Sequence, residues 1–178
     1  MSDQIRDLIA RATEAQQERR LNDAKHAWAA AIDSLRQSGN EASLAHALRS
    51  LGEVDRKLHD DSTARVHYEE AVALYRRLGD PLTLAHAVRH LGDVYRHLHE
   101  PALAEPCYRE ALGLYRAHPE VTPLELANAI RSLAVLKSET GETQQARELW
   151  EEARCLYTAS GVEAGVAESS QRLAQLAG

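Results

Sequence analysis

An all-α solenoid of repeated helix pairs is the fold this sequence predicts, and three observations lead to it. The segments "LAHALRSLGEVDR" (44–56), "LAHAVRHLGDVYR" (84–96) and "LANAIRSLAVLKS" (126–138) are one unit written three times. A second unit recurs between them as "WAAAIDSLRQSG" (28–39), "YEEAVALYRRLG" (68–79), "YREALGLYRAHP" (108–119) and "WEEARCLYTASG" (150–161). The spacings are 40 and 42 residues, a period that belongs to stacked supersecondary units. Inside each unit the apolar residues fall at helical spacing, as Leu44, Leu48, Leu51 and Val54 do. Between units stand Gly39, Gly79-Asp80-Pro81, Gly141 and Gly161, residues that end one helix and start another.

The elements follow in chain order. The first pair is worn on its leading helix (Leu8, Ala12, Ala15) and clear on its second (Ala24, Trp28, Ala31). In the second pair the leading helix, helix A, spans Glu41 to His59. "HDDS" (59–62) breaks it, and Ser62 is the expected N-cap of helix B over 63–78. The third pair repeats this pattern but places Pro106 inside helix B. Proline removes a backbone donor there, so that helix is expected to start late or to kink near Ala102–Pro106. The fourth pair carries Leu133-Ala134 and Trp150. The tail "AESSQRLAQLAG" (167–178) reads as one more helix A, with Leu173-Ala174 in the Leu-Gly place, and caps the last apolar face. One domain, 1–178, results. Its repeats lie at about 5–44, 45–84, 85–126 and 127–166, with a capping helix at 167–178.

These residues resemble the tetratricopeptide repeat, in which small and large residues alternate where two helices cross. The pairs here are Leu51-Gly52, Leu91-Gly92 and Leu133-Ala134 on helix A. Helix B supplies Ala64, Tyr68 and Ala71; Ala104, Tyr108 and Ala111; Ala146, Trp150 and Ala153. The period exceeds the usual ~34 residues and is similar to the longer form of kinesin light chains and Pins-type polarity adaptors. A longer helix B adds a second aromatic layer at Tyr75, Tyr115 and Tyr157. The resemblance implies a right-handed superhelical solenoid of four such helix-turn-helix repeats whose A helices line a concave groove. It also implies a non-enzymatic module that binds a protein or peptide partner.

Composition bounds the alternatives. The chain has 178 residues, 44% of them hydrophobic and 27% charged, and a net charge of -6, so attraction to nucleic acid is not expected. No apolar run approaches the ~20 residues of a membrane span, and Met1-Ser2-Asp3-Gln4 lacks a signal pattern. Cys107 and Cys155 are isolated, which fits a reducing, cytoplasmic setting. The motifs of catalysis are missing: no phosphate-cradling glycine loop, no Gly-x-Ser-x-Gly elbow, no Cys–His pairing. No enzyme and no cofactor is expected. The aromatic residues are explained as packing, and Glu69-Glu70 and Glu151-Glu152 as a solvated helix-B face.

The groove face is where function is expected. His46, Arg49 and Arg56 come from the second repeat; His86, Arg89, His90, Asp93, Arg96 and His97 from the third; Asn128, Arg131 and Ser132 from the fourth. Arg49, Arg89 and Arg131 form a ladder at one equivalent place, and arginine forks suit carboxylates and peptide carbonyls. An acidic partner segment is therefore expected. Against this, Arg49 precedes Glu53 and Arg89 precedes Asp93 by four residues, a spacing at which such pairs neutralise each other. Arg131 has Val135 instead and is expected to lack a partner.

The Lys and Asn pattern with which some members of the resembled family clamp a terminal carboxylate does not carry over. Glu53, His90, Asn128 and Ser132 stand in its places. "LAHAVRHLGDVYRHLH" (84–99) also aligns His86, His90, Asp93 and His97 on one helical stripe, which gives metal binding as an alternative. His90 and His97 are expected to make ligand preference pH-sensitive near neutrality. Self-association is the other alternative, motivated by apolar Ile5, Leu8 and Ile9 at the N-terminal end.

Overall fold

Small polar caps at three junctions between repeats decide where the following helix begins. In the computed structural model, which describes residues 2–177, Asn40, Asp80 and Thr122 accept bonds from the first-turn amides of the helices that follow. Those amides have no partner within the helix, and a side-chain oxygen supplies one. Nine helices result among the described residues: α1 (Asp3–Gln17), α2 (Leu21–Ser38), α3 (Glu41–Lys57), α4 (Asp61–Leu78), α5 (Pro81–His97), α6 (Pro101–Arg116), α7 (Pro123–Glu139), α8 (Thr143–Ala159) and α9 (Glu163–Gln175). There is no strand among these residues. The A helices are α1, α3, α5, α7 and α9; the B helices are α2, α4, α6 and α8. Each helix packs on its neighbour in the chain, and α5 also touches α7. The molecule is an all-α helical repeat solenoid. No described helix is long and apolar enough to cross a membrane.

Several boundaries differ from expectation. α3 and α5 begin at Glu41 and Pro81, as expected, and α7 begins at Pro123; all three starts lie four residues ahead of the repeat bounds at 45, 85 and 127. The capped polar turn belongs to the helix, and the apolar unit starts only one turn later. Asp60, not Ser62, caps α4, and its Oδ1 accepts from the Thr63 amide at 3.2 Å. α9 starts at Glu163, four residues before the expected 167, and Gly178 lies outside the described residues, as does Met1. α6 does not start late. It runs from Pro101 through Pro106 to Arg116, and both Pro106 and Ala102 are exposed, so water can reach the carbonyl that the proline leaves unpaired.

The helix crossings are built as the repeat pattern implies. Trp28, Tyr68, Tyr108 and Trp150 are fully buried, and Tyr75, Tyr115 and Tyr157 form the second layer. A Cβ added to Gly92 would meet the Tyr108 ring at 2.7 Å, and one added to Gly52 would meet Tyr68 at 2.8 Å. Glycine at these places lets the B-helix ring lie directly on the A-helix backbone. Each A-to-B turn places one residue in the left-handed region: Arg19 (φ 60), His59 (φ 61), His99 (φ 60) and Gly141 (φ 79).

The N-terminal residues that motivated self-association pack in part against the chain itself. Ile5 is buried, and Leu8 and Ile9 pack against the core. The glutamates of the B helices are not simply solvated either. Arg36, Arg76 and Arg116 pair with Glu70, Glu110 and Glu152 of the following B helix at 2.7, 2.6 and 2.7 Å.

Candidate functional site on the A-helix face

Three neighbouring recesses run along the face of the A helices, and Arg49 lines all three. The first lies between α1 and α3, where Thr13, Gln16 and Lys57 join His46 and Glu53. The second is walled by Arg56, Lys57, His86 and His90. The third reaches Tyr75, Leu82, Thr83 and Glu125. His46, Arg49, Arg56, His86 and His90 are thus brought together.

Asp93 organises the floor beside them. It accepts from the Tyr108 hydroxyl at 2.9 Å and from His90 Nδ1 at 3.2 Å. Arg56 lies 3.5 Å away and Arg89 3.8 Å away. Burial would raise the Asp93 carboxyl, but the His90 bond and the Arg56 and Arg89 charges hold it well below its ordinary range. His90 accepts at Nε2 from Arg89 at 2.9 Å. The Nδ1 that meets Asp93 also lies 3.2 Å from Arg56, so both ring nitrogens are engaged, and burial favours the neutral form. Its ring stacks on Tyr68 at 6.0 Å and meets His86 edge-on at 4.6 Å.

Burial disfavours the charged form of His46, His86 and His90. Burial, reinforced by His90, Arg89 and Arg49, pushes His86 down to about 3. Burial also lowers His46 and His90, with Arg49 adding to the effect on His46. The expected pH-sensitivity near neutrality therefore does not arise from His90, whose burial opposes the proton. The metal stripe does not assemble: His97 turns to Asp61 at 3.5 Å and His90 is held by Arg89 and Asp93. Among the described residues no three His, Cys, Asp or Glu side chains gather as a metal site.

The remaining expected residues have internal roles. Arg96 pairs with Glu139 on α7 at 2.8 Å and touches His97. Asn128 accepts from the Tyr157 hydroxyl at 2.8 Å. Ser132 is buried, and its hydroxyl donates to the Asn128 carbonyl. The three ladder arginines differ. Arg131 does not lack a partner: Glu168 on α9 takes its Nε and one terminal nitrogen at 2.7 Å each. Arg89 has Asp93 and lies beside the Tyr115 hydroxyl. Arg49 has no ion pair among the described residues; its neighbour is the Tyr75 hydroxyl. Glu53, the expected partner of Arg49, is taken by Lys57 at 2.8 Å. Glu168 went unnoticed in the sequence, yet it stands 40 residues after Asn128, in the place of His46 and His86.

Residues 82–159 match a family model described as tetratricopeptide repeat. No curated protein matches the chain by sequence. Among solved structures, BtubC (BKLC) from P. vanneervenii is similar, with 20% identity, a TM-score of 0.78 and 84% of this chain covered; the chain spans 61% of that protein. MamA protein is similar at 16% identity and a TM-score of 0.67, covering 99% of this chain and 93% of the other. A Podosopora anserina structure described as kinesin light chain nearly identical TPR-like repeats has 15% identity and a TM-score of 0.76, with 97% and 87% covered.

Proposed function

We propose, for a chain whose residues 82–159 match the tetratricopeptide repeat family model and whose fold is similar to that of kinesin light chain-like repeat structures, that it is a non-enzymatic interaction module holding an acidic segment of a protein partner along its A helices. Such repeats are generally protein-interaction scaffolds. The observation that carries the finer reading is the cationic excess on this face. Arg49, Arg56 and Lys57 line the three recesses against two carboxylates, Glu53 and Glu125, in a chain of net charge -6. A locally positive groove on an acidic protein selects for acidic segments and steers them inward.

Fluorescence anisotropy with labelled pools of short acidic and basic peptides tests the reading. The acidic pool is expected to bind, and to weaken as salt screens the groove. Equal binding of both pools, or none, refutes it.

A further inference from the structure

We propose that Arg49 is the one open rung of the arginine ladder and anchors an aspartate or glutamate side chain of the partner segment; this rests on the groove reading above. Arg49, Arg89 and Arg131 occupy equivalent places and are engaged differently. Arg131 shows the closed form, because Glu168 from the next A helix engages it through two bonds of 2.7 Å. That is the fork-on-carboxylate geometry in which arginine binds most strongly. In the place of Glu168, the next A helix offers Arg49 only His86, an imidazole kept uncharged by burial and by neighbouring cations. Arg89 is closed differently, by Asp93 on its own helix.

The carboxylates near Arg49 are all committed. Glu53 is held by Lys57 at 2.8 Å. Glu125, at the edge of the neighbouring recess, accepts from the Thr122 amide at 2.9 Å and its hydroxyl at 2.7 Å. Asp93 is held by His90 and Tyr108 beside Arg56. Arg49 keeps the Tyr75 hydroxyl beside it and only the through-space charge of Glu53, whose direct bond goes to Lys57, while facing all three recesses. A segment lying along the A helices passes over it, so the acid that meets it is a side chain rather than a chain end. Glu168 is then an internal copy of this ligand, and removing it opens a second rung.

The test uses three pools of labelled short peptides on the full chain. One pool fixes glutamates and is amidated at its C-terminus. The second has glutamine in their place, also amidated. The third is the glutamine pool with a free terminal carboxylate. The glutamate pool is expected to bind about tenfold more tightly than the amidated glutamine pool, and Arg49→Gln to erase that advantage. Glu168→Gln is expected to tighten glutamate-pool binding several-fold by freeing Arg131. Glutamate-pool binding that Arg49→Gln leaves unchanged overturns this inference while the groove reading stands. A free-carboxylate pool matching the glutamate pool overturns it in favour of a terminal anchor. No binding of any pool overturns the groove reading and this one with it. The gain in Glu168→Gln keeps the test decisive if Arg49→Gln folds poorly.

Discussion

The same substitution, glycine to alanine inside a helix, is expected to act with opposite sign at Gly92 and Gly113. In an open helix interior alanine is favoured over glycine by about 0.8–1 kcal/mol. Gly113, within α6, has nothing within 4 Å of a new Cβ, so it should gain most of that. At Gly92 the new Cβ would sit 2.7 Å from Tyr108 Cε1, 2.9 Å from Cδ1 and 3.2 Å from Cζ. The ring must retreat by several tenths of an ångström, and it has nowhere to go. Tyr108 is fully buried, and its hydroxyl is tied to Asp93 at 2.9 Å. Overpacking of this kind costs about 1–3 kcal/mol, so after the helical gain Gly92→Ala should lose up to about 2 kcal/mol. The fourth repeat carries Ala134 opposite Trp150 at this place; the obstacle is a methyl against this ring, not a methyl as such. Reversible urea unfolding followed by circular dichroism measures both variants. Thermal midpoints should move by about 2–4 °C per kcal/mol for a chain of this size, up for Gly113→Ala and down for Gly92→Ala. Equal midpoints for the two variants would refute the steric argument.

Three further outcomes follow from particular residues. His99 holds φ 60 in the turn before α6, where Gly141 occupies the equivalent turn, so His99→Gly should raise stability by about 0.5–1 kcal/mol in the same unfolding assay. Acid should weaken the fold from about pH 6.5 downward. His86, held down to about 3, stays unprotonated when folded while the unfolded chain takes up its proton. Stability is then complete above the unfolded value and falls with pH until the folded state protonates too. His86→Asn should reduce the slope between pH 6 and 4 by about one proton, and an unchanged slope would count against the buried neutral imidazole. Lys137, buried between Glu105 at 2.8 Å and Glu142 at 2.7 Å, should tolerate Lys137→Asp only at a loss of about 3–5 kcal/mol, largely recovered by adding Glu105→Lys. A double variant no better than the single one would show that the pair is not coupled.

The fold was legible because the repeat writes the same packing several times, so Leu91-Gly92 and Tyr108 can be read from Leu51-Gly52 and Tyr68. Caps were less legible. Asp60 and Ser62 both suit an N-cap, and only the turn geometry, with His59 in the left-handed region, selects Asp60. The site was legible as a set of residues but not as a set of bonds. Arg49 and Glu53 have the spacing of an ion pair, yet Lys57 competes for Glu53 and wins. Val135 beside Arg131 suggested a vacant guanidinium, but the partner comes from α9, 37 residues on. Spacing along one helix reports neighbours on that helix, whereas in a solenoid half of each groove residue's surroundings belong to the next repeat.

That dependence on the next repeat also accounts for how the stack keeps its order. Apolar faces of repeated helices are nearly interchangeable, so packing alone permits the wrong repeats to adjoin. At one equivalent place on the A helices this chain carries Asp55 and Lys137, both buried, and between them Tyr95, half-buried. Each reaches back to the preceding B helix: Asp55 to Lys25 at 2.7 Å, the Tyr95 hydroxyl to Glu69 at 2.8 Å, Lys137 to Glu105 at 2.8 Å. The charges at the two ends are opposite. Stacking α3 on α6, or α7 on α2, would bring like charges together away from water, which costs far more than the correct pairs contribute. The polar bonds between repeats therefore act mainly against misordering. The Arg49 rung stands apart from them because the following repeat offers it no carboxylate, and that leaves its guanidinium available to another chain.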